Sequence, residues 1–204
     1  MKYIVFDVDG TLLNSDASIV RCMKESSRKY GYEVTHIREN IGVKKLEDIL
    51  RLNGVDENLI PAIIDDYKRC YEETFHIDTT TVDGSYEVLK KLQVNPLGIV
   101  TFKYYRLTKM LLDKFFPEIN FNYIFCGDFP FKMTDKAEAL RIIVENAGNP
   151  EIVYYVGDRR EDMEAAKRAG VKGIWASFGL GSLDAGITYD YKIDSFKELL
   201  DILG

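Results

Sequence analysis

Short apolar runs alternate along this chain with longer stretches whose apolar side chains recur every three or four positions. Residues 3–6, 97–100, 123–125, 152–156 and 173–176 are the apolar runs, each too short for a helix. Helical patterns at 104–115, 134–147 and 160–169 separate the last four, and Gly148 and Gly170 stand where left-handed helix ends belong. Continuously apolar strands that alternate with helices predict a parallel sheet covered on both faces. The fold class expected is therefore α/β, with a Rossmann-like core.

The connection from Phe6 to Leu97 breaks this rhythm. A crossover between parallel strands needs only about a dozen residues, and most of this much longer stretch reads as helix. Ile60, Ile63, Ile64, Tyr67 and Tyr71 fall on one helical face. Val34, Ile37 and Ile41 form a second stripe, and Leu46, Ile49 and Leu50 a third. An all-helical cap is expected at 14–82, inserted into a core made of 1–13 and 83–204. Asp83-Gly84 marks the turn back, and a helix near 85–92 returns the chain to the sheet.

Composition narrows the partners. Among the 204 residues, 46% are hydrophobic and 29% charged, which excludes a disordered chain. A formal net charge of -6 disfavours nucleic acid and anionic membrane, so an anionic ligand would need a local group of cations. The apolar run at the N-terminus is too short for a signal peptide or a membrane span, and a cytoplasmic protein is expected. Cys22, Cys70 and Cys126 are scattered without a CxxC pair, so neither a disulfide framework nor a zinc site is expected.

The chemistry starts where the first strand ends. Asp7 and Asp9, two positions apart, share one side if the extended geometry continues. They lie at the carboxyl end of a parallel strand, where open α/β sheets bind ligands. Gly10 permits a close backbone approach, with Thr11 beside it. An Asp-Gly pair alone marks only a turn. The wider string Phe6-Asp7-Val8-Asp9-Gly10-Thr11-Leu12, however, resembles the first signature of the haloacid dehalogenase superfamily.

Three further signatures follow in order. Thr101 ends the 97–100 strand, with Lys103 two positions on. Lys136 lies in the first turn of the 134–147 helix, where a cation opposes the helix dipole. Many relatives carry Lys-Pro at that point and this chain does not, so Lys132 competes for the role. Gly157-Asp158-Arg159-Arg160-Glu161-Asp162 resembles the family's GDxxxD pattern. Phe178-Gly179-Leu180-Gly181-Ser182 is similar to the segment after the last strand in phosphoglycolate-phosphatase-like members, whose cap is also a helical insertion after the first strand.

The resemblance implies a phosphatase that uses Mg²⁺. Asp7 would be the nucleophile that is transiently phosphorylated, and Asp9 the general acid/base. Thr101 and Lys136 would hold the phosphoryl group. Asp7, Asp158 and the backbone carbonyl of Asp9 would ligate the metal, with Asp162 direct or through water. Gly10, Thr11 and Lys103 are placed near the substrate. Lys44 and Lys45 of the loop 41–45 are placed against its leaving group, and only one of two adjacent lysines can point inward. The partner implied is a small phosphorylated metabolite, with no nucleic acid or membrane, on a monomer or weak homodimer.

Two other readings stay open. A phosphosugar mutase shares these signatures but places a His ten residues after the acid/base Asp, where this chain has Ile19. A receiver-type switch also surrounds a phosphorylated Asp with acidic residues, a Thr and a Lys. It puts that Asp on a middle strand and lacks a long insertion. His36 and His76 match no catalytic motif.

Overall fold

The computed structural model describes residues 1–181 and 188–204. Its core is a six-stranded sheet built from β1 (Tyr3–Phe6), β4 (Leu97–Val100), β5 (Tyr123–Phe125), β6 (Val153–Gly157), β7 (Lys172–Ala176) and β8 (Tyr191–Ile193). The order is β5-β4-β1-β6-β7-β8, with every ladder parallel. Phe6 pairs with Ile99 on one side and Val156 on the other, so β1 occupies the position where strand order reverses. That reversal opens a crevice at the strands' carboxyl ends.

The sheet is covered on both faces. Beside it lie α5 (Ser85–Leu92), α6 (Tyr105–Phe115), α7 (Lys136–Ala147), α8 (Arg160–Ala169) and the short α9 (Leu199–Leu203). Asp135 caps α7 by accepting a hydrogen bond from the Ala137 N–H, and Gly148 closes it in the left-handed conformation. Ala137, Leu140 and Ile143 turn one face of α7 into the core. A fully buried Leu or Ile contributes about 1.5–3 kcal/mol. This seating also fixes Lys136 at the helix start.

The first connection carries α1 (Asp16–Arg28), α2 (Ile37–Asn40), α3 (Leu46–Leu52) and α4 (Ile60–Asp78). Ile60, Ile63, Ile64, Tyr67 and Tyr71 are all buried, as the stripe on α4 predicts. The Val34–Ile41 stripe is buried at its apolar positions, but only four of its residues are helical. A two-stranded antiparallel ribbon, β2 (Leu13–Asn14) with β3 (Thr80–Thr81), stands where the chain leaves and re-enters the core.

One expectation is overturned. Cys22 on α1 and Cys70 on α4 form a disulfide, with Cα atoms 5.6 Å apart. Packing of these two helices brings together residues 48 apart, a proximity no local spacing signals. Cys126 is a free, buried thiol. No helix among the described residues is long and apolar enough to cross a membrane.

Candidate active site

Asp7 continues β1 by one residue, with its N–H bonded to the Val156 carbonyl at 2.9 Å. Its carboxylate is fully buried, and neither oxygen has a hydrogen-bond partner. Burial pushes its pKa well above the ordinary carboxylate range; Lys136 opposes the rise, while Asp162, Asp158 and Asp9 add to it. The chain then turns sharply, Leu12 N–H returning to the Val8 carbonyl at 3.0 Å. Gly10 sits at φ +86°, and a Cβ there would lie 2.5 Å from Asp158 Oδ2. No side chain fits at that point, which is why a glycine follows the second Asp.

Asp9 is nearly buried and firmly held. Ser15 Oγ donates to its Oδ1, and Lys103 Nζ lies 3.0 Å from Oδ1 and 3.3 Å from Oδ2. Lys103 is itself buried, 4.4 Å from the centre of the Tyr71 ring. Burial works against its charge, yet Asp9 keeps its pKa above the usual lysine value. Lys103, expected near the substrate, is bonded to Asp9 and borders the cavity beside it. Thr101 is buried at the end of β4, with its Oγ1 accepting from the Lys103 N–H at 3.3 Å.

A second carboxylate pair follows, Asp158 just after β6 and Asp162 in the first turn of α8. Asp158 Oδ2 accepts from the N–H groups of Leu180 and Gly181 at 2.7 and 3.2 Å. The glycine-rich segment thus serves the site through its backbone; Ser182 lies outside the described residues. Thr11 donates its hydroxyl to Asp158 Oδ1 at 3.3 Å. Asp162 Oδ2 accepts from the Arg159 N–H at 3.0 Å. Its Oδ1 takes Lys136 Nζ at 2.7 Å and lies 3.0 Å from the Tyr155 hydroxyl. Burial raises Asp158 as well, with Asp162 adding and Arg159 opposing.

Lys136 Nζ also lies 3.2 Å from Asp7 Oδ1. Burial would lower its pKa, but Asp162 and Asp7 raise it above the ordinary value. Lys132 is exposed and lines a neighbouring cavity. Of the two competing lysines, Lys136 is the one at the carboxylates.

Asp7, Asp158 and Asp162 each offer a ligand oxygen, all within 4.8 Å of one another. The donor set is hard oxygen, and both Asp7 oxygens are buried without a hydrogen-bond donor. These residues fit a small divalent cation such as Mg²⁺.

The helical insertion closes over this cluster. Gly42 has φ +79°, and a Cβ on it would lie 3.7 Å from Asp7 Oδ2 and 3.4 Å from Arg159 Cγ. Beside this contact is a cavity of about 210 Å³, bordered by Asp9, Thr101 and Lys103 below and by Ile19, Ile41 and Tyr67 above. Lys44 and Lys45 both reach its rim; Lys44 is exposed, while Lys45 Nζ bonds the Gly127 carbonyl at 3.5 Å. His36 and His76 are exposed, away from the cluster.

Sequence reasoning missed Ser15, Tyr155 and Arg159. Arg159 carried a usable signal: a cation at a helix N-terminus opposes the dipole there, as Lys136 does.

The family model for the haloacid dehalogenase-like hydrolases matches residues 4–176. A phosphoglycolate phosphatase from Pseudomonas syringae pv. tomato is 33% identical over 192 residues, covering 87% of this chain and 70% of that protein. A 5'-nucleotidase from Pseudomonas aeruginosa is 26% identical, covering 89% of this chain and 85% of that protein. The crystal structure of a predicted phosphoglycolate phosphatase from Haemophilus somnus superposes with a TM-score of 0.85 at 20% identity, covering 100% of this chain and 98% of that one. The chain belongs to the haloacid dehalogenase-like hydrolases, and within them it is an enzyme of the phosphoric monoester hydrolase class.

Proposed function

We propose that this chain is a Mg²⁺-dependent, phosphoglycolate-phosphatase-like enzyme that hydrolyses a small phosphomonoester in the cytoplasm through a phospho-Asp7 intermediate. The observation that carries the proposal is the Asp7 carboxylate, buried, without a hydrogen-bond donor, and flanked by Lys136, Asp158 and Asp162. A bound Mg²⁺ would neutralise charge on the transferring phosphoryl group. Asp7 attacks phosphorus; the bond to the leaving oxygen breaks as Asp9 protonates that oxygen. Asp9 then takes a proton from water, which attacks the acyl phosphate, releases phosphate and restores Asp7. Splitting the displacement this way replaces one difficult step with two easier ones. Lys136 balances Asp7 and the incoming phosphoryl charge, while Ser15 and Lys103 hold the Asp9 carboxylate. Residues 14–82 act as the cap that excludes water.

Ile19 favours hydrolysis over mutase chemistry. It borders the cavity at the position of the mutase histidine and can carry no proton. The insertion and the place of Asp7 on the first strand favour turnover over a receiver-type switch.

Removing divalent metal with a chelator is expected to abolish phosphate release from a small aryl phosphate, and Mg²⁺ to restore it. Full activity after chelation would refute metal dependence. A second expectation concerns the leaving group. Lys45→Ala should lower kcat/KM for an anionic substrate by roughly tenfold or more, the size of a lost charge-assisted contact. Aryl phosphate hydrolysis should stay nearly constant. Lys44→Ala, removing an exposed side chain, should change neither by much. Steady-state kinetics on both substrates decides, and an unchanged ratio in Lys45→Ala would move specificity elsewhere in the cap.

A further inference from the structure

The reaction just described gives no part to Arg159. This residue follows Asp158 directly, and its side chain is only 7% exposed. One terminal nitrogen donates to the Arg38 carbonyl of the insertion at 2.9 Å. The Nε lies 3.8 Å from Asp158 Oδ2, beyond hydrogen-bond reach, and is buried without a partner. A buried guanidinium N–H without an acceptor is costly and uncommon.

The position of this unpaired donor is informative. A Cβ built on Gly42 falls 3.8 Å from Arg159 Nε and 3.7 Å from Asp7 Oδ2. The unpaired N–H and the nucleophile therefore border one point beneath the insertion. That point is next to Asp7, where a phosphoryl group must arrive. Around the nucleophile, three carboxylates, Asp7, Asp158 and Asp162, outnumber the one lysine among them, Lys136. A guanidinium suits a phosphoryl oxygen because its N–H groups form a rigid fork.

We propose that Arg159 binds the substrate's phosphoryl group, its Nε–H donating to a non-bridging oxygen while its terminal nitrogen keeps the Arg38 carbonyl. Resting on the phosphatase reading, this makes phosphoryl binding and closure of the insertion mutually reinforcing, since one side chain contacts both. It also separates Arg159 from Lys45. Every substrate carries the phosphoryl group, so losing Arg159 weakens all of them alike, whereas Lys45 discriminates between leaving groups.

The test uses inorganic phosphate as the probe. Its affinity for the Mg²⁺-loaded protein is measured by calorimetry for wild type, Arg159→Lys and Arg159→Met, alongside kinetics on two substrates. Arg159→Met should weaken phosphate by about tenfold or more, with Arg159→Lys between, as expected for a charge-assisted bond. kcat/KM should fall by a similar factor for the aryl phosphate and the anionic substrate. Limited proteolysis across residues 38–45 should show phosphate protecting wild type but not Arg159→Met. Phosphate binding as tight as wild type in either folded variant overturns the proposal. If Arg159→Met does not fold, Arg159→Lys alone decides. If wild type neither hydrolyses phosphomonoesters nor binds phosphate, the phosphatase reading fails and this proposal with it; if wild type does both and the variants match it, only the role of Arg159 fails.

Discussion

Asp7→Asn is expected to remove turnover, by roughly 10⁴-fold or more, while making the metal-free protein more stable. The amide is a poor nucleophile, which accounts for the rate. The stability gain comes from burial. The Asp7 pKa in the fold lies above its unfolded value, chiefly because the carboxylate is dry. Between the two values the native state binds more protons than the unfolded state, so metal-free stability falls as pH rises through that window. At pH 8 the native carboxylate is held ionised at a cost that asparagine does not carry. The expected gain is on the order of 1 kcal/mol. Thermal melts in chelator at pH 6 and pH 8 check it: the variant should exceed wild type more at pH 8. A variant less stable than wild type at both pH values would mean that the Asp7–Lys136 pair outweighs burial.

Lys136→Ala is expected to be the second most damaging change, in both rate and stability. Aimed charge in a dry site is commonly worth about 10²–10³ in kcat. The same substitution leaves Asp7 without its cation and takes from Asp162 its 2.7 Å partner. Breaking a buried pair from one side costs about 3–5 kcal/mol. Bound Mg²⁺ should recover part of that stability by countering the same carboxylates. Lys132→Ala, at an exposed position, should stay within about 0.5 kcal/mol of wild type. Kinetics and denaturant melts of the two variants side by side decide between the lysines. A larger rate loss from Lys132→Ala would reverse the assignment.

These expectations rest on features of unequal legibility. Strands β1, β4 and β5 were plain because each is a continuous apolar run. Helix α7 is bounded by signals with a mechanism: Gly148 after it, and before it Thr134 or Asp135, of which the structure uses Asp135. The strand β8 was missed because only Ile193 of its three residues is buried, which leaves no periodic pattern. The ribbon of β2 and β3 has two residues per strand, too few to show alternation. Ile152 falls just before β6, in a short turn capped by Asn149.

The site divides in the same way. Asp7, Asp9, Asp158 and Asp162 stand out because the strings that hold them resemble family signatures and fall just after buried strands. The directions taken by Thr11, Lys103 and Arg159 do not follow from spacing. Thr11 and Lys103 each turn to a carboxylate, and Arg159 is buried under a carbonyl more than a hundred residues away. Lysine and arginine are usually solvated, so a buried cation becomes visible only when the fold supplies its partners. The Cys22–Cys70 disulfide was hidden for a related reason: helix packing, not sequence distance, sets that pairing.

The central claim is that phosphoryl transfer passes through Asp7. Intact-protein and peptide mass spectrometry after rapid acid quench tests it most directly, using Asp9→Asn with an activated aryl phosphate and Mg²⁺. The variant should still take up phosphate slowly while the second step, which needs Asp9 as base, is impaired. The expected result is the added mass of one phosphoryl group on the peptide that contains Asp7, lost on treatment with hydroxylamine and absent when Asp7 is also Asn. Phosphate release from wild type, with no phosphorylated species in either protein and with turnover retained by Asp7→Asn, would contradict the account.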